Sequence, residues 1–583
     1  MGFDYALVHV KYTIPPAVIL TFFYRGISTR LDLYRVAFLV SIAVIATIPW
    51  DSYLIHQEIW TYPPHVIVGP KLFDIPAEEL FFFVIQAYNT SILYLFLSKT
   101  VTHAAYLLPA QRCKSNDDGG THEAALKHGI FALMATVISL GAWMMAHGGQ
   151  GTTYLGLILV WAGPFALLLW GLSGYMIQRL PLSTTLLPIV LPTLYLWVVD
   201  TIALRRGTWV IASGTKLGIH VWRGLEVEEA IFFLATNTLI VFGLVAFDHA
   251  VAILDANAST FPRIAATPSP ALLIRALVLS SAQYDHGRIH AIRDAVERLR
   301  RKSRSFHFAS AFFSGRTRID LVLLYSFCRV ADDLVDNAKT SKEAFEHVAK
   351  LREYLDAVFD AGDDGKERMS NAPVVLKRGV TSFPEDARSA LLHLPTYLPS
   401  APLYRLLDGF ETDLRFNNDL GTAWPIQDEA HVSEYAACVA GTVAELCIEL
   451  ILHNTTTPIP RSMHGHLVTS GRRMGIALQY VNMARDISVD AAMNRVYLPT
   501  TWLTQQKLSP DDVLANPTSA AVLGLRERLL DEADGIYRDN RGAIDALPSE
   551  VRGPMRVAVE SYMEIGRVLR RGGGGERERE SVV

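Results

Sequence analysis

The sequence predicts an all-α chain in two parts: an N-terminal seven-helix transmembrane domain with an internal three-helix repeat, followed by a soluble helical bundle. Three observations carry that prediction. Half of the 583 residues are hydrophobic, and the longest apolar runs fall before about residue 250. Within that stretch a pattern of Asp, Trp and paired Glu occurs twice. Beyond it, apolar residues recur at helical spacing, and two aspartate pairs each stand one helical turn apart.

A chain of this length exceeds what one hydrophobic core organises. The 54 Lys and Arg nearly balance the 58 Asp and Glu, and no basic stripe interleaved with aromatics is present, which excludes nucleic acid as a partner. Cys113, Cys328, Cys438 and Cys447 form no CxxC pair and no zinc spacing. They read as reduced or buried thiols, not as a disulfide framework or a metal–thiolate site. The apolar run Ile14–Phe23 lacks a basic flank before it and a small-residue cleavage site after it, so a retained first membrane helix is expected.

Crossing a bilayer takes ~20 apolar residues. Segments near Phe3–Phe23, Leu33–Trp50, Glu79–Leu97, Ala125–Ala146, Thr152–Gly174, Thr184–Val199 and Val227–Phe247 meet that length or approach it. Arg25, Arg30 and Arg35 flank the first connection, and Lys99, Arg112, Lys114 and Lys127 surround the third. The second has only Lys71 and the fourth no positive charge; the sixth, with Arg205, Arg206, Lys216 and Arg223, runs against the trend. The bias favours odd connections in the cytosol, which places the second half of this multi-pass chain on the cytosolic face.

The repeat runs from Asp51 through Trp60 to Pro76-Ala77-Glu78-Glu79, and again from Asp200 through Trp209 to Glu226-Val227-Glu228-Glu229. The Asp-to-Trp spacing is the same in both copies, and the Asp-to-Glu spacing differs by one residue. Two three-helix units joined by a fourth helix put both Glu-Glu pairs at helix starts on one side of the membrane, where they can face one cavity. Acidic residues at helix N-termini also suit the macrodipole and interfacial water. Paired carboxyls in both copies, flanked by Phe81, Phe82, Phe83, Phe232 and Phe233, favour chemistry, because intramembrane carboxyls are costly. A carboxyl in apolar surroundings keeps its proton near neutrality and can donate it to an alkene. Aromatic faces can stabilise the resulting cation, and a second carboxylate can remove the final proton. Adjacent helical residues diverge by ~100°, so one Glu of each pair is expected to point inward.

Residues 1–250 are therefore expected to form the membrane domain and 251–270, small and proline-bearing, a linker. Residues 271–570 are expected to form the soluble bundle, and 571–583, with a Gly run and alternating Glu and Arg, a disordered tail. In the bundle, Asp332 and Asp336 follow Tyr325 and Arg329 in YSFCRVADDLVD. Asp486 and Asp490 share a helical face with Gln479 and Asn482 in QYVNMARDISVD, beside Arg485. One such pair alone reads as a solvated face. Two pairs with matching Arg, Asn and Gln neighbours suit Mg²⁺, a hard cation bound through oxygen and often bridging phosphates; the arginines suit diphosphate.

The segment Lys302-Ser303-Arg304-Ser305-Phe306, the two aspartate runs, Val439-Ala440-Gly441-Thr442-Val443 and Arg495-Val496-Tyr497-Leu498-Pro499 resemble the squalene/phytoene synthase family in motif order and spacing. The resemblance covers roughly residues 280–570. It implies an isoprenoid synthase bundle that joins two geranylgeranyl diphosphates head to head, through a cyclopropyl diphosphate intermediate, to give phytoene. It also implies Mg²⁺, with Mn²⁺ as the substitute, held by Asp332, Asp336, Asp486 and Asp490 with help from Asn482. Ser303, Arg304, Ser305, Arg329, Gln479, Arg485 and Arg495 would bind substrate, and Tyr325 and Tyr497 would line the site. Lys302 stands where some members have His, and Ala444 where Gly commonly follows the VAGTV run, which bears on the shape of the tunnel.

The membrane half resembles the lycopene cyclases built from small membrane subunits, here duplicated. The whole chain resembles the fungal family in which such a cyclase precedes a phytoene synthase. The resemblance implies redox-neutral closure of lycopene ends to β-rings by Glu78, Glu79, Glu228 and Glu229. No FAD or NADPH is expected, since no GxGxxG follows a strand. The second copy departs from the family's PxE(E/D) pattern, with Glu226 at the proline position. Two other readings compete with this one. A retinal-type pigment protein needs a lysine in its last helix, and Val227–Phe247 has none. A squalene synthase-like prenyl transferase on a non-catalytic anchor leaves the duplicated glutamates without a role.

Overall fold

A computed structural model describes all residues except 1, 64, 110–117, 148, 360–379, 417–423, 456, 458 and 572–583. Cys113, Arg112, Lys114 and nearly all of the expected tail lie outside the described residues. The chain forms two compact units, Met1–Ile289 and His290–Val583.

Among the described residues of the first unit, seven long helices follow in order: α1 (Asp4–Tyr24), α2 (Arg30–His56), α3 (Ala77–Ser98), α4 (Asp118–His147), α5 (Thr153–Arg179), α6 (Leu187–Arg206) and α7 (Val227–Ala256). Each contains a stretch long and apolar enough to cross a membrane, and each matches an expected span to within a few residues except at its ends. α1 carries a π turn at His9–Thr13, immediately before Pro15 and Pro16, which cannot donate to the preceding turn. α6 starts at Leu187 because Pro188 suits the first turn of a helix. α7 runs on through residues 251–256, which the sequence assigned to a linker. Ala252, Ile253, Leu254 and Ala256 are buried there, so packing continues the helix past the expected boundary. After it, Ser269 caps α8 (Pro270–Leu277), which packs on α7.

Close packing and polar pairs tie these helices together. Gly141 of α4 and Gly156 of α5 face each other so closely that a Cβ on either would lie 3.1 Å from the other's carbonyl oxygen, the small-residue contact that apolar helices use. Near the start of α2, Arg35 pairs with Asp248 of α7 at 3.0 Å, and Asp32 takes Lys99 at 2.9 Å. Arg35 and Lys99 are therefore ion-pair partners inside the bundle, although the sequence counted both as connection charges.

The sequence offered no strands, and the described residues of the first unit form six short ones. β2 (Lys71–Leu72) pairs with β3 (Ile75–Pro76), and β5 (His220–Trp222) with β6 (Leu225–Glu226). These two hairpins sit immediately before α3 and α7. β1 (Trp60–Thr61) and β4 (Val210–Ile211) pair antiparallel, Trp60 opposite Ile211. That ladder joins the corresponding loops of the two repeats and puts both Glu-Glu pairs at one end of the bundle. At two or three residues apiece the strands are too short to show alternation.

The second unit is helical throughout its described residues. It comprises the greater part of α9 (His286–Lys302), then α10 (Arg304–Ser310), α11 (Gly315–Asp336), α12 (Ser341–Phe359), α13 (Glu385–Leu392), α14 (Ala401–Leu414), α15 (Glu429–Asn454) and α16 (Arg461–Ala492). α17 (Thr500–Gln505), α18 (Pro510–Ala515), α19 (Ala520–Asn540) and α20 (Ser549–Arg571) follow, with a short helical turn at Ala543–Ala546 between the last two. α15 is also long and apolar enough to cross a membrane. Its composition has another cause: Leu446 and Leu450 pack into one core cluster, and Tyr435, Ile448 and Ile451 into the other. A helix shared by two cores is apolar on several faces.

Candidate active sites

At the shared end of the two repeats, all four glutamates are buried: Glu78 6 %, Glu79 2 %, and Glu228 and Glu229 0 % exposed. The expectation that only one of each pair points inward fails. The loop ahead of each hairpin supplies a backbone donor to the first Glu, and both residues of each pair are interior. The partners nonetheless separate the two positions. Glu78 Oε1 accepts the Val68 N–H at 2.6 Å, and Glu228 Oε1 accepts the Leu217 N–H at 2.7 Å. The first Glu of each pair thus clamps the loop that leads into its own hairpin.

The second Glu of each pair turns to phenols. Tyr5 donates to Glu79 Oε2 and Tyr62 donates to the same oxygen at 2.7 Å. Tyr154 donates to Glu229 Oε1 at 2.6 Å. Tyr5 and Tyr154 hold the same place in their repeats, at one offset with the pairs Asp51/Asp200 and Trp60/Trp209. The sequence reading missed them because their immediate neighbours differ; the shared offset was the available signal. Asp51 and Asp200 are buried beside these glutamates. Trp209 donates to Asp200 Oδ1 at 3.1 Å, whereas neither oxygen of Asp51 has a partner among the described residues.

Aromatic rings enclose this group, and the repeats pack crosswise. Tyr5 lies 5.1 Å from Trp209, and Tyr154 lies 6.5 Å from Trp60. Trp50, Trp161 and Phe232 pack mutually, Trp50 lying 4.7 Å from Trp161 and 5.4 Å from Phe232, and those two 6.3 Å apart. Of the flanking phenylalanines, Phe82, Phe83, Phe232 and Phe233 are buried, and Phe81 is exposed. Buried carboxyls and stacked rings form an apolar site with convergent polar groups.

In the second unit the carboxylates have cationic partners. Arg329 reaches Asp332 at 3.0 Å and Asp333 at 2.6 Å, and Lys302 reaches Asp333 at 3.4 Å. Arg485 binds its neighbour Asp486 through two nitrogens, at 2.8 and 2.6 Å. Arg495 reaches across to Asp336 at 3.0 Å and so ties the end of α11 to the segment after α16. Ser303 caps α10, with its Oγ 3.4 Å from Ser305 Oγ, and Arg304 beside them is exposed. Phe306 packs on Tyr325 at 5.6 Å, and burial pushes the Tyr325 phenol up to about 12. Asn482 donates to Gln479 at 3.3 Å, and Asn482 Oδ1 is buried without a partner.

Asp413 of α14 was missed. It accepts from Tyr497 at 2.7 Å and Tyr435 at 3.1 Å, and those two rings stack at 4.9 Å. A lone acidic residue on an amphipathic helix carries no local signal. Its place is visible only where it meets the electrostatics of Asp332, Asp336, Asp490 and Arg495. Burial pushes Asp413 up to about 6. Burial, with Asp336 beside it, pushes Asp332 up to about 7, and burial with Asp486 does the same to Asp490.

Among the described residues, no three His, Cys, Asp or Glu converge as a ready-made metal cluster. What the described residues present is two carboxylate faces of two residues each, with Asp332 and Asp490 raised by burial and by the neighbouring carboxyl, and the unpartnered Asn482 oxygen beside one of them. Oxygen-only donors of this kind fit a hard divalent cation whose remaining ligands come from phosphate and water. The VAGTV departure is also accommodated: a Cβ on Gly475 of α16 would lie 2.8 Å from the Ala444 Cβ, so the extra methyl faces a glycine.

Comparison with known proteins agrees with both halves. Residues 299–581 match the squalene/phytoene synthase family model. The chain is 55 % identical over 576 residues to a bifunctional lycopene cyclase/phytoene synthase of Leptosphaeria maculans, covering 98 % of this chain and 96 % of that one. Proteins of the same description from Phaeosphaeria nodorum and Neurospora crassa are 54 % and 46 % identical, over 98 % and 97 % of this chain and 95 % and 94 % of theirs. With that identity over nearly the whole length of both chains, the chain belongs to the bifunctional lycopene cyclase/phytoene synthase family.

Proposed function

We propose that the two units carry the two activities in separate sites, the first closing lycopene ends to β-rings and the second joining two geranylgeranyl diphosphates to phytoene. The observation that carries this reading is the contrast in partners. Glu79 and Glu229 are held by neutral phenols inside an aromatic cluster, whereas Asp332, Asp336 and Asp486 are held by arginines. A neutral, ring-lined setting suits proton exchange with a hydrocarbon, and a charged one suits phosphate.

In the synthase unit, Asp332, Asp336, Asp486 and Asp490, with Asn482, would hold Mg²⁺ or Mn²⁺. A divalent cation bound there supplies charge neutralisation for a departing diphosphate. Arg329, Arg485 and Arg495, with Ser303, Arg304 and Ser305, orient the phosphate oxygens. Gln479 positions Asn482. Asp413 fixes the phenols of Tyr435 and Tyr497, whose stacked faces line the path of an allylic cation.

In the membrane unit, Glu79 and Glu229 exchange protons with the substrate, and Glu78 and Glu228 position them through the loops they clamp. Lycopene and its cyclised products have the same oxidation state, so the ring closure requires no FAD or NADPH. Asp51 and Asp200 contribute further buried carboxyls beside the pair. The seven apolar helices support a multi-pass chain in a lipid bilayer, with residues 1–250 as the cyclase domain and 271–570 as the synthase on the cytosolic face.

Expression of the whole chain in cells that supply geranylgeranyl diphosphate and a phytoene desaturase tests the reading. β-Carotene is expected. Lycopene as the end product removes the cyclase, and absence of phytoene removes the synthase.

A further inference from the structure

The two repeats differ at the point where their glutamates meet the aromatic cluster. In the first, a single oxygen, Glu79 Oε2, accepts from both Tyr5 and Tyr62. In the second, Tyr154 satisfies Glu229 Oε1, and Glu229 Oε2 is buried without a partner among the described residues. The place that Tyr62 holds in the first repeat is held by Ile211 in the second, counted at the offset that relates Tyr5 to Tyr154. One carboxyl has gained a second donor, and the other has a bare oxygen in the same apolar cluster.

We propose that the repeats have diverged into acid and base: Glu229 gives the proton that opens ring closure, and Glu79, held by Tyr5 and Tyr62, takes the proton that ends it. This rests on the reading of the membrane unit as the ring-closing site. Two phenols aimed at one oxygen are best matched to negative charge, since hydrogen bonds to an ion are the stronger ones. An oxygen buried without a donor is costly as an anion and is the place where a carboxylic acid carries its own proton. Tyr154 anchors the other oxygen, so the Glu229 carboxyl is oriented as well as protonated. Asp51 also has bare oxygens, but no partner fixes its direction. Asp200 Oδ2, Glu78 Oε2 and Glu228 Oε2 are bare beside an anchored oxygen as well. Glu229 differs from these three in being anchored by a phenol of the aromatic cluster, not by an indole or a loop N–H.

The step balances. A proton leaves Glu229 for the terminal double bond of a lycopene end. The tertiary cation is attacked by the second double bond of the chain, which forms the ring's carbon–carbon bond. The ring cation then loses a proton to Glu79 and regains a double bond. One proton enters and one leaves, no electrons are transferred, and solvent resets the two carboxyls.

The test is deuterium tracing with the full chain in lipid nanodiscs, lycopene as substrate and D2O as solvent. Wild type is expected to place one deuterium in each ring it closes; a wild type that closes no rings overturns the ring-closing reading itself. Glu79→Gln is expected to stop ring formation while recovered lycopene gains deuterium, because protonation still occurs and reverses. Glu229→Gln is expected to give neither rings nor deuterium, and Asp51→Asn to keep deuterium incorporation. The reverse pattern, equal exchange in both glutamate variants, or loss of exchange in Asp51→Asn with retention in Glu229→Gln overturns the assignment. Tyr62→Phe, which leaves the acid intact, is expected to slow ring closure about tenfold and to raise the deuterium exchanged per ring closed. An unchanged ratio in that variant also overturns the proposal.

Discussion

The membrane site and the synthase site use the same functional group, a buried or half-buried carboxyl, and differ in what is placed beside it. Tyr5, Tyr62 and Tyr154 give the membrane glutamates hydrogen bonds without charge. Arg329, Arg485 and Arg495 give the synthase aspartates full positive charge. The lesson is that a carboxyl's partner selects its chemistry. A phenol brings no net charge, so a carboxyl beside it can exchange a proton with an alkene-derived cation without a counter-ion. A guanidinium offsets the charge of the carboxylate and marks a place where phosphate can bind.

The comparison breaks most readily at the synthase aspartates. Asp332→Asn is expected to lower phytoene formation by at least about a hundredfold, the scale of losing one preorganised electrostatic group, while ring closure of supplied lycopene stays at the wild-type rate. Loss of both activities at normal protein level would show that the sites are not independent.

The next effect is on stability. A carboxyl whose folded-state value is raised binds its proton more tightly in the native state, so stability falls as pH climbs from the ordinary carboxylate range, about 4, through the folded value. Asp332 and Asp490, each pushed up to about 7, make the metal-free synthase unit less stable at about pH 8 than at about pH 5. Mg²⁺ is expected to reverse that loss, raising Tm at the higher pH by about 2–4 °C per kcal/mol of binding and hardly at the lower. Calorimetry with and without a chelator checks it, and a Mg²⁺ effect equal at both pH values would separate metal binding from these aspartates.

The smallest effect sharpens the division within each glutamate pair. Gln keeps a carbonyl oxygen that can accept the Val68 or Leu217 N–H, so Glu78→Gln and Glu228→Gln are expected to lower ring closure only about tenfold or less. Rates from reconstituted protein decide it, and a complete block at either position would move that glutamate from a clamp to a proton carrier.

Much of this molecule was legible in the sequence because its signals are local. Seven apolar runs, two aspartate faces at helical spacing and the Asp, Trp and Glu-Glu repeat depend on neighbours within a few turns. Residues 251–256 misled because small residues near prolines read as a linker, whereas burial extends α7 through them. Tyr5 and Tyr154 were legible in principle, since they keep the repeat offset, but nothing in their flanking residues pointed to a glutamate on another helix.

By itself the sequence determined the helical architecture, the order of the two units and which carboxyls are available. Periodicity and composition are written residue by residue, and helices form from such short-range patterns. Only the tertiary structure decided which glutamate of each pair clamps a loop and which meets a phenol. It also decided that the repeats join through β1 and β4, and that Asp413 belongs to the synthase site. Those outcomes depend on side chains brought together from distant segments, where the direction of a single hydrogen bond has no counterpart in the linear pattern.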